Sequence, residues 1–570
     1  MKAVSFQSLA IIGGGPSALY LLHYLLLGKS GFRRIDIFEK RSTLGRGMPY
    51  GNAGALKEHL ANVSSSELPA LPQSLVQWLF EQSDTMLASY SINKQCLTEE
   101  TIVPRLLMGA YLEAQFSALV NKAKQAGIDI RVHYEATVID VKIDAENRHC
   151  IILKEGDYAG FTAAAICTGH TWPRKQEQSV AGYFDSPYPP IKLRHQRNHA
   201  VALRGCSLTA IDAISTLAVA NGEFYHAANG QLKYEKHPQC QQFEIVMHAL
   251  GGLMPSIRYH LDSPLLNTDG LLTEVELEAH RQENSGFLSL DFLFEHNFKK
   301  QVANRDAASF KKIANKNIEG FVQQMLSSRE AFDPFTLFKV EYLQAEMSML
   351  HKVSIVWKEC LAVFSYALNP LARYLSAEDT QRMNEHLQPL IAIAIANIPQ
   401  HSCQRLLALH SAGALSMISV GTSSDVKVVD NNIYYRYKNR RDETVEQHYQ
   451  TFIDCIGQSP QPLSAFPFPS MRKSGRVRPA KVAYQYSKNG ARDKQLTPKE
   501  VEFDANASVY YRLIGGADIS ASYQLLDGKR ATSAKTYIMA VPYISGLNPD
   551  FSGLDYCADV AQKIAKDLET

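Results

Sequence analysis

The stretch LAIIGGGPSALYLLHYLLLGKSGFRRIDIFE, residues 9–39, decides the fold of this chain. Its apolar start predicts a buried strand, and the next apolar run predicts a helix over 17–27 that Gly28 ends. A second apolar strand over 35–38 leads into Glu39. Between the first strand and the helix stand three small residues in G-x-G-x-x-A spacing: Gly13, Gly15 and Ala18. This order predicts a dinucleotide-binding βαβ unit.

Each part of this unit has a physical task. Gly13 permits the tight turn, Gly15 lets the backbone approach a pyrophosphate, and Ala18 keeps the helix close to the strand. The free amides at the helix start then face the pyrophosphate. Glu39, a carboxylate at the end of the second strand, can accept hydrogen bonds from a ribose diol. A glycine-rich turn without a ligand is the alternative.

Composition limits the possible partners of the chain. With 570 residues, of which 45% are hydrophobic, the chain is long enough for two or three packed units. Its 59 Lys and Arg nearly balance its 57 Asp and Glu, giving a net charge of +2. No overall field attracts nucleic acid or an anionic membrane, and a small-molecule substrate is expected.

Cysteine usage and hydropathy exclude further classes of protein. The nine cysteines are scattered and form no C-x-x-C pair, which argues against a disulfide framework, a zinc site or a dithiol redox centre. No metal is expected, and a reducing cytoplasm fits best. No apolar run reaches the roughly 18 to 20 residues that a membrane span needs.

Two further segments suit a ligand site. The glycine-rich loop LGRGMPYG, residues 44–51, permits close backbone approach, although a solvent turn looks similar. The segment AAAICTGHTWP, residues 163–173, predicts a buried strand that ends in Thr168, Gly169 and His170, where open α/β sheets place ligands. His170 is the candidate catalytic side chain there, and a structural role is the alternative.

An arginine at the start of a helix also suggests a ligand. The helix predicted over 104–116 carries Arg105 in its first turn, the wrong end of the helix dipole for a cation. A phosphate or carboxylate partner would explain this position, and a surface arginine is the alternative.

A second fingerprint opens at Val201 in VALRGCSLTAIDA, with Gly205, Ser207 and Ala210 in G-x-S-x-x-A spacing. Its partner strand is predicted over 243–247. An NADPH site favours an arginine after that strand, to hold the 2′-phosphate. His248 and Ala249 stand there instead, and Arg258 is the nearest alternative. The sequence therefore predicts a second nucleotide fold and leaves its use of a nicotinamide open.

The second half of the chain contains a helical block and a basic segment. Residues 288–412 are predicted to be helical, either as a roof over a substrate cavity or as a stabilising or dimerisation element. The segment 472–494 carries eight basic residues and is predicted to be a solvated loop, with an anion-binding lid as the alternative. A final helix, predicted from Gly553 to Leu568, can aim its first amides at an electron-rich ring.

Six segments together resemble a known family. They are LAIIGGGPSALYLL, FEKRSTLGRGMPYG, AICTGHTWP, GCSLTAIDA, IPQHSCQRLLALHSAGALSMISVG and FSGLDYCADVAQKIA. This set is similar to the bacterial FAD/NAD(P)-binding flavoproteins related to FAD-dependent urate hydroxylase and, more distantly, to lysine and ornithine N-hydroxylases. The resemblance implies bound FAD and, for active members, oxygenation driven by NAD(P)H.

The resemblance also implies site residues. It assigns FAD binding to Gly13, Gly15, Ser17, Ala18, Glu39, Gly47, Met48, Asn62, Arg105, Val138, Thr168 and Gly169. It assigns the nicotinamide domain to Gly205, Ser207 and Thr209. The chain departs from the family at His248 and Ala249, where relatives that use NADPH are expected to carry Ser-Arg.

These observations predict an α/β protein with two Rossmann-like dinucleotide-binding domains. The expected division is an FAD domain over 1–195 and 461–570, an NAD(P)-like domain over 196–285 and 413–460, and a helical insertion over 286–412. The expected activity is that of an FAD-dependent monooxygenase acting on a small polar substrate. A flavin oxidase or dehydrogenase reduced directly by its substrate, and a non-catalytic FAD-binding protein, are the alternatives. The oligomeric state is left open.

Overall fold

Two parallel sheets, each covered by helices, organise the computed structural model of this protein. The structure describes residues 7–28, 31–177, 179–266, 268–439, 441–528, 534–550 and 553–569. No helix in these ranges is both long and apolar enough to cross a membrane. The predicted α/β class with two Rossmann-like units and a helical region is confirmed.

The first sheet is built around the N-terminal strand. Its five parallel strands follow the order Lys535–Ile538, Ala163–Ile166, Gln7–Ile12, Phe32–Phe38 and Asp129–His133. Leu9 to Ile12 are all buried, as expected of a central strand with helices on both faces. The flanking helices are Pro16–Leu27, Arg105–Gln125 and Leu554–Leu568. A strand and a helix from the end of the chain thus complete the N-terminal unit, as the sequence predicted.

The second sheet repeats this design around the second fingerprint. Its parallel strands follow the order Leu415–Ser419, Glu244–Ala249, Ala200–Arg204, Thr451–Asp454 and Tyr183–Phe184. Its helices are Leu208–Asn221 and Gln400–Ser411. Gly413, at φ +63°, follows the second of these helices and provides the left-handed turn that ends it.

Small antiparallel sheets are attached to both units. Their strands are Val138–Ile143, His149–Leu153 and Asp157–Phe161; Gly222–His226 and Leu232–Lys236; Asp425–Val429, Asn432–Lys438 and Thr444–Tyr449; and Pro479–Ala483, Val501–Asp504 and Val509–Ala517. One of these sheets contains a hairpin that turns at Asp430 and Asn431, and both residues have positive φ as a two-residue turn requires.

The helical block begins earlier than predicted. Thr273 and Glu276 form a capping box that starts its first helix, a signal that lies before residue 288. The helices of the block are Glu274–Glu283, Leu290–Leu293, Phe294–Lys299, Lys300–Arg305, Ala307–Ile313, Ile318–Glu330, Pro334–His351, Val356–Leu371, Ala377–Arg382, Met383–Leu387 and Gln388–Ala394. An aromatic cluster of Phe294, Phe298, Phe321 and Phe364 fills its core.

The basic segment 472–494 is not a loop, so that prediction is wrong. It contains the end of the helix Pro469–Lys473, the strand Pro479–Ala483 and most of the helix Ser487–Leu496. Arg478 pairs with Asp518, and Lys481 pairs with Glu502 at 2.9 Å. Strand pairing brings these acids next to the basic side chains, a relation that residue order alone does not reveal.

The helical block is fastened to the first unit through Asp550. The Ser365 hydroxyl donates a hydrogen bond to the Asp550 carboxylate, and the amide of Asp550 donates to Asn369 Oδ1 at 2.9 Å. Burial raises the pKa of Asp550 from 3.8 to about 6, although the Ser365 hydrogen bond opposes the shift. The folded protein therefore binds this proton more tightly than the unfolded chain does.

This raised pKa predicts a pH-dependent stability difference between the native protein and Asp550→Asn. Between pH 4 and 6 the unfolded chain releases the proton first, so the contribution of Asp550 to the free energy of unfolding falls as pH rises, by up to about 3 kcal/mol. The melting temperature of Asp550→Asn, relative to native, should rise across that window. Asp430→Asn, in an exposed hairpin turn, is the control. A difference that does not change with pH would contradict this assignment.

Candidate functional site

The first fingerprint forms a tight turn against the end of a neighbouring strand. Gly13 has φ +102°, and a β-carbon there would collide with the carbonyl oxygen of Cys167. The Gly13 amide donates to Phe38 O at 2.8 Å, and the Cys167 amide donates to Ile12 O at 2.7 Å. Only glycine fits such an approach, because any side chain would enter the adjacent strand. The turn and Thr168, the next residue after Cys167, thus lie at one edge of the first sheet.

The loop 44–51 lies directly over this turn. The amide of Gly45 donates to Gly14 O at 2.7 Å, and a β-carbon on Gly15 would lie 3.2 Å from Gly47 Cα. Gly47 itself has φ +57°. The loop and the turn therefore pack backbone against backbone, and this contact leaves little room for a side chain at Gly15. The approach of Gly15 to a pyrophosphate stays a prediction.

Glu39 is buried and tied to the same turn. One carboxylate oxygen accepts from the Gly14 amide at 2.7 Å, and the other accepts from the Arg41 amide at 2.9 Å. These bonds fix the carboxylate beside the fingerprint, and each oxygen keeps a lone pair free for a ribose hydroxyl.

Other predicted site residues surround this turn less closely. Ala18 is fully buried, and the Ser17 hydroxyl lies 3.4 Å from Cys557 Sγ in the last helix. Val138 begins a strand of a separate antiparallel sheet. Met48 lines a cavity of about 280 Å³ together with Lys40 and Trp172. Their roles toward a cofactor stay predictions.

Arg105 joins the two nucleotide units. Its guanidinium pairs with the Asp212 carboxylate at 2.5 Å and donates to Leu60 O at 3.1 Å. Asp212 also accepts a hydrogen bond from the Tyr188 hydroxyl at 2.7 Å. Burial lowers the pKa of Arg105, but the adjacent carboxylate outweighs burial and raises it above the ordinary value. The cation at this helix start thus has a carboxylate partner within the protein.

A second polar contact between the units lies one turn beyond Asp212 in the helix Leu208–Asn221. His59 Nε2 is 2.9 Å from Thr216 Oγ1, and burial lowers the pKa of that histidine. Asp212 and Thr216 are four residues apart in a largely apolar helix, LTAIDAISTLAVAN. This i, i+4 polar pair is the sequence signal that could have revealed a buried contact between the units.

The second fingerprint adopts the predicted form. Gly205 has φ +106°, and a β-carbon there would lie 3.1 Å from Cys455 O. Ser207 precedes the helix Leu208–Asn221 without a capping side-chain bond, and both Ser207 and Thr209 are half-buried. The geometry of a nucleotide turn is therefore kept despite the serine.

His248 does not follow the second strand of this unit, so that placement is wrong. It lies within the strand Glu244–Ala249 and is 1% exposed. Its Nδ1 is 3.1 Å from Leu203 O, its Nε2 is 3.2 Å from the Tyr449 hydroxyl, and its ring stacks on Tyr435. Burial lowers the pKa of His248 to about 4. It is a neutral core residue that connects the sheet to an antiparallel hairpin.

The residues that do follow this strand carry no cation. They are Leu250, which is exposed, and the glycines 251 and 252. The Glu330 carboxylate faces Gly251 so closely that a β-carbon on the glycine would collide with it. The position expected to meet a nucleotide 2′-substituent is therefore next to a negative charge.

Arg258, the other candidate for a 2′-phosphate, is engaged elsewhere. It forms an ion pair with Glu67 and donates to Ser64 Oγ at 2.9 Å and to Asn62 O at 3.3 Å. These partners belong to the first unit and neutralise the guanidinium. This pairing could not be predicted from the sequence, because Glu67 and Arg258 are 191 residues apart.

A cavity of about 390 Å³ opens beside this ion pair. Asn62 and Tyr50 contribute from the first unit, while Gly553 and Asp555 contribute from the start of the last helix. The helical block adds a further wall through Ala362, Tyr366, Ile395 and Asn397. Two predicted site residues, Asn62 and Gly553, thus meet in one cavity that the helical block roofs.

His170 lies close to Trp172 in the linker between the two sheets. The two rings are stacked with centroids 5.6 Å apart, and burial lowers the pKa of His170 to about 4. Neither His170 Nδ1 nor Trp172 Nε1 has a hydrogen-bond partner among the residues that the structure describes. A neutral histidine can still donate or accept one hydrogen bond there, and its catalytic role stays a prediction.

The thiols and acids indicate no metal centre. All nine cysteines are free, and within the described ranges no three His, Cys, Asp or Glu side chains form a metal-binding group.

Two family models match this chain. Residues 10–171 match the FAD-NAD(P)-binding family, and residues 273–395 match the YdhS-like middle domain. The first match contains the fingerprint, Glu39 and Arg105, and the second covers most of the helical block. The prediction of an FAD- and NAD(P)-binding protein is confirmed by the first match.

One relative and two solved structures extend these matches. The Escherichia coli (strain K12) protein YdhS is 26% identical over 470 residues, covering 82% of this chain and 86% of YdhS. The ornithine N-hydroxylase KtzI of Kutzneria sp. 744 is 12% identical with a TM-score of 0.45, over 99% of both chains. The cadaverine monooxygenase DfoA of Erwinia amylovora is 9% identical with a TM-score of 0.46, over 99% of this chain and 94% of DfoA.

The buried pair between the nucleotide units gives a testable prediction. Asp212→Asn leaves the charge of Arg105 buried without a counter-charge, which should cost about 3 to 5 kcal/mol of stability. Thr216→Val, on the same helix face, removes one neutral hydrogen bond and should cost about 1 kcal/mol. Melting temperatures of the two variants measure the difference.

A double variant isolates the charge effect. Arg105→Met combined with Asp212→Leu removes both charges and should be more stable than Asp212→Asn alone. If the double variant is instead less stable than Asp212→Asn, the unpaired charge of Arg105 is not the cause of the lost stability.

Proposed function

We propose that this protein is an FAD-dependent monooxygenase that takes reducing equivalents from a nicotinamide nucleotide and hydroxylates a small polar substrate. The cavity beside Asn62 and Gly553 supports this proposal most directly. Its volume of about 390 Å³ lies in the usual range for small-molecule sites. It lies where the first nucleotide unit, the last helix and the helical block meet.

The residues around the first fingerprint fit a dinucleotide. The glycine turn exposes backbone without large side chains at the start of the helix Pro16–Leu27, and Glu39 is held beside this turn, where a ribose would lie. We assign FAD to this site, with Thr168 and Gly169 at the adjacent strand end. When bound, the flavin supplies the redox and oxygen chemistry, which no side chain of a protein provides.

The side chains of the chain itself position and shield the substrate. Ala362 and Ile395 of the helical block give the cavity an apolar wall that excludes water. Arg258 is neutralised by Glu67 and fixes the opposite wall. Asp555 in the first turn of the last helix has its pKa raised by burial, so it is suited to hold a proton at the cavity.

A flavin oxidase or dehydrogenase reduced directly by its substrate is the second candidate. Ser207 in place of the usual glycine favours it, because the serine weakens the case for a bound nicotinamide. A non-catalytic FAD-binding protein is the third candidate. The specific relation to FAD-dependent urate hydroxylase stays a prediction from the motifs.

Matched substitutions in the two fingerprints test the assignment of the cofactors. Gly15→Val would push the loop at Gly47 away from the turn, so we expect FAD retention to fall by about tenfold or more. Ser207→Val should keep FAD and slow only flavin reduction by a nicotinamide. Absorbance of the purified proteins, before and after anaerobic mixing with NADH or NADPH, gives both readouts.

The outcomes separate the candidates. Bleaching of native flavin by a nicotinamide supports the monooxygenase, whereas bleaching only by a metabolite supports the oxidase or dehydrogenase. A purified protein that is colourless and stays so with added FAD would overturn both enzymatic hypotheses, the monooxygenase and the oxidase or dehydrogenase. Equal loss of FAD from Gly15→Val and Ser207→Val would contradict the two-site assignment.

The charge beside Gly251 predicts the choice of coenzyme. A 2′-phosphate would be repelled by Glu330, whereas a 2′-hydroxyl can donate to it, so NADH should reduce the flavin about tenfold or more faster than NADPH. Glu330→Gln should narrow that ratio, and Glu283→Gln, on another helix of the block, should leave it unchanged. The measurement is the ratio of the apparent second-order rate constants for flavin reduction by NADH and by NADPH. A preference of the native protein for NADPH would refute the prediction.

A further inference from the structure

The helix Pro334–His351 has a buried face and an apolar exposed face. Phe335, Phe338, Ala345 and Ser348 point into the protein. The inner face is held by Gln404, which donates to the Tyr342 hydroxyl at 2.8 Å, and by an ion pair between Glu341 and Arg329 at 2.8 Å. The inner face of this helix is therefore packed against the protein, and its outer face does not belong to the core of the helical block.

The outer face carries large apolar side chains where a surface helix ordinarily carries polar ones. These are Val340, 59% exposed, Leu343, 59%, Met347, 53%, and Leu350, 73%. Phe332 and Val353, 58% and 61% exposed, flank the helix in sequence. The six side chains together expose about 600 Å² of apolar surface, the upper end of what a monomer shows.

The spacing of the four helical residues is that of a coiled-coil seam. They follow one another at intervals of three and four, with Val340 and Met347 at a positions and Leu343 and Leu350 at d positions. Among parallel coiled coils, a β-branched residue at a, as at Val340, with leucine at d favours two strands. A two-fold axis also lets the same patch serve both partners.

We propose that this face is the interface of a homodimer in which the two copies of helix Pro334–His351 pack in parallel. Pairing two patches would bury about 1,200 Å² in total, the lower end of stable interfaces. The residues at the edges of the seam agree with this orientation. In a parallel pair, Lys339 meets Gln344 of the second copy and Glu346 meets His351, so no like charges face each other.

An antiparallel pair would bring the two copies of Glu346 near each other. The charges therefore select the parallel arrangement. A different protein with a matching apolar helix is the competing occupant, and the mass of the purified protein distinguishes it from a second copy.

The test is the molar mass of the FAD-loaded protein by analytical ultracentrifugation from about 1 to 50 µM. We expect twice the chain mass of 63.5 kDa for the native protein. Leu343→Glu should shift it to a monomer, because two carboxylates would enter the seam. Val275→Glu, at an exposed valine on the helix Glu274–Glu283, is the matched control and should stay dimeric. FAD content and circular dichroism report whether each variant is folded.

Cross-linking tests the orientation without relying on a charged variant. Met347→Cys lies opposite its own copy only in the parallel pair, so mild oxidation should give a covalent dimer, and Val275→Cys should not. Both variants are made with Cys96→Ser, because Cys96 is the exposed native thiol. A native monomer at all concentrations, a dimer that survives Leu343→Glu, or a native dimer without Met347 cross-linking would each overturn the proposal.

Discussion

The buried ion pair between Arg105 and Asp212 is the interaction on which the arrangement of the two nucleotide units depends. It connects the start of a helix in the first unit with a helix of the second, and Tyr188 adds a hydrogen bond from the linker. Charges so deeply buried are stable only together, so neither helix can move away without a large cost. A second pair, Arg258 with Glu67, makes a similar tie beside the cavity.

This fixed arrangement gives the helical block two different surfaces. Its inner side closes the cavity with Ala362, Tyr366, Ile395 and Asn397, which we assign to the substrate. Its outer side carries the apolar seam of helix Pro334–His351. The sequence left a cavity roof and a dimerisation element as alternatives for this block. The structure makes them compatible, because they use opposite faces of the same insertion.

The features that could be predicted from the sequence are those set by interactions between residues close together in the chain. The fingerprint at Gly13, the helix end at Gly413 and the hairpin turn at Asp430 and Asn431 each depend on residues that are neighbours in sequence. Prediction went wrong where a partner comes from far along the chain. His248 was expected to follow its strand, but the strand continues through it because its backbone pairs with Ile418 and Arg204 of the neighbouring strands. The basic segment 472–494 was expected to be a loop, because its acidic partners are distant in sequence.

The sequence by itself determined the two dinucleotide folds, the discontinuous first unit and the identity of the residues that form the two turns. These features follow from steric rules and hydrophobic periodicity, which act over a few residues. The tertiary structure alone decided which charges are neutralised, which residues share a cavity, and which apolar face stays exposed. Burial and pairing of charge depend on contacts between segments up to several hundred residues apart, and only the packed chain brings those segments together.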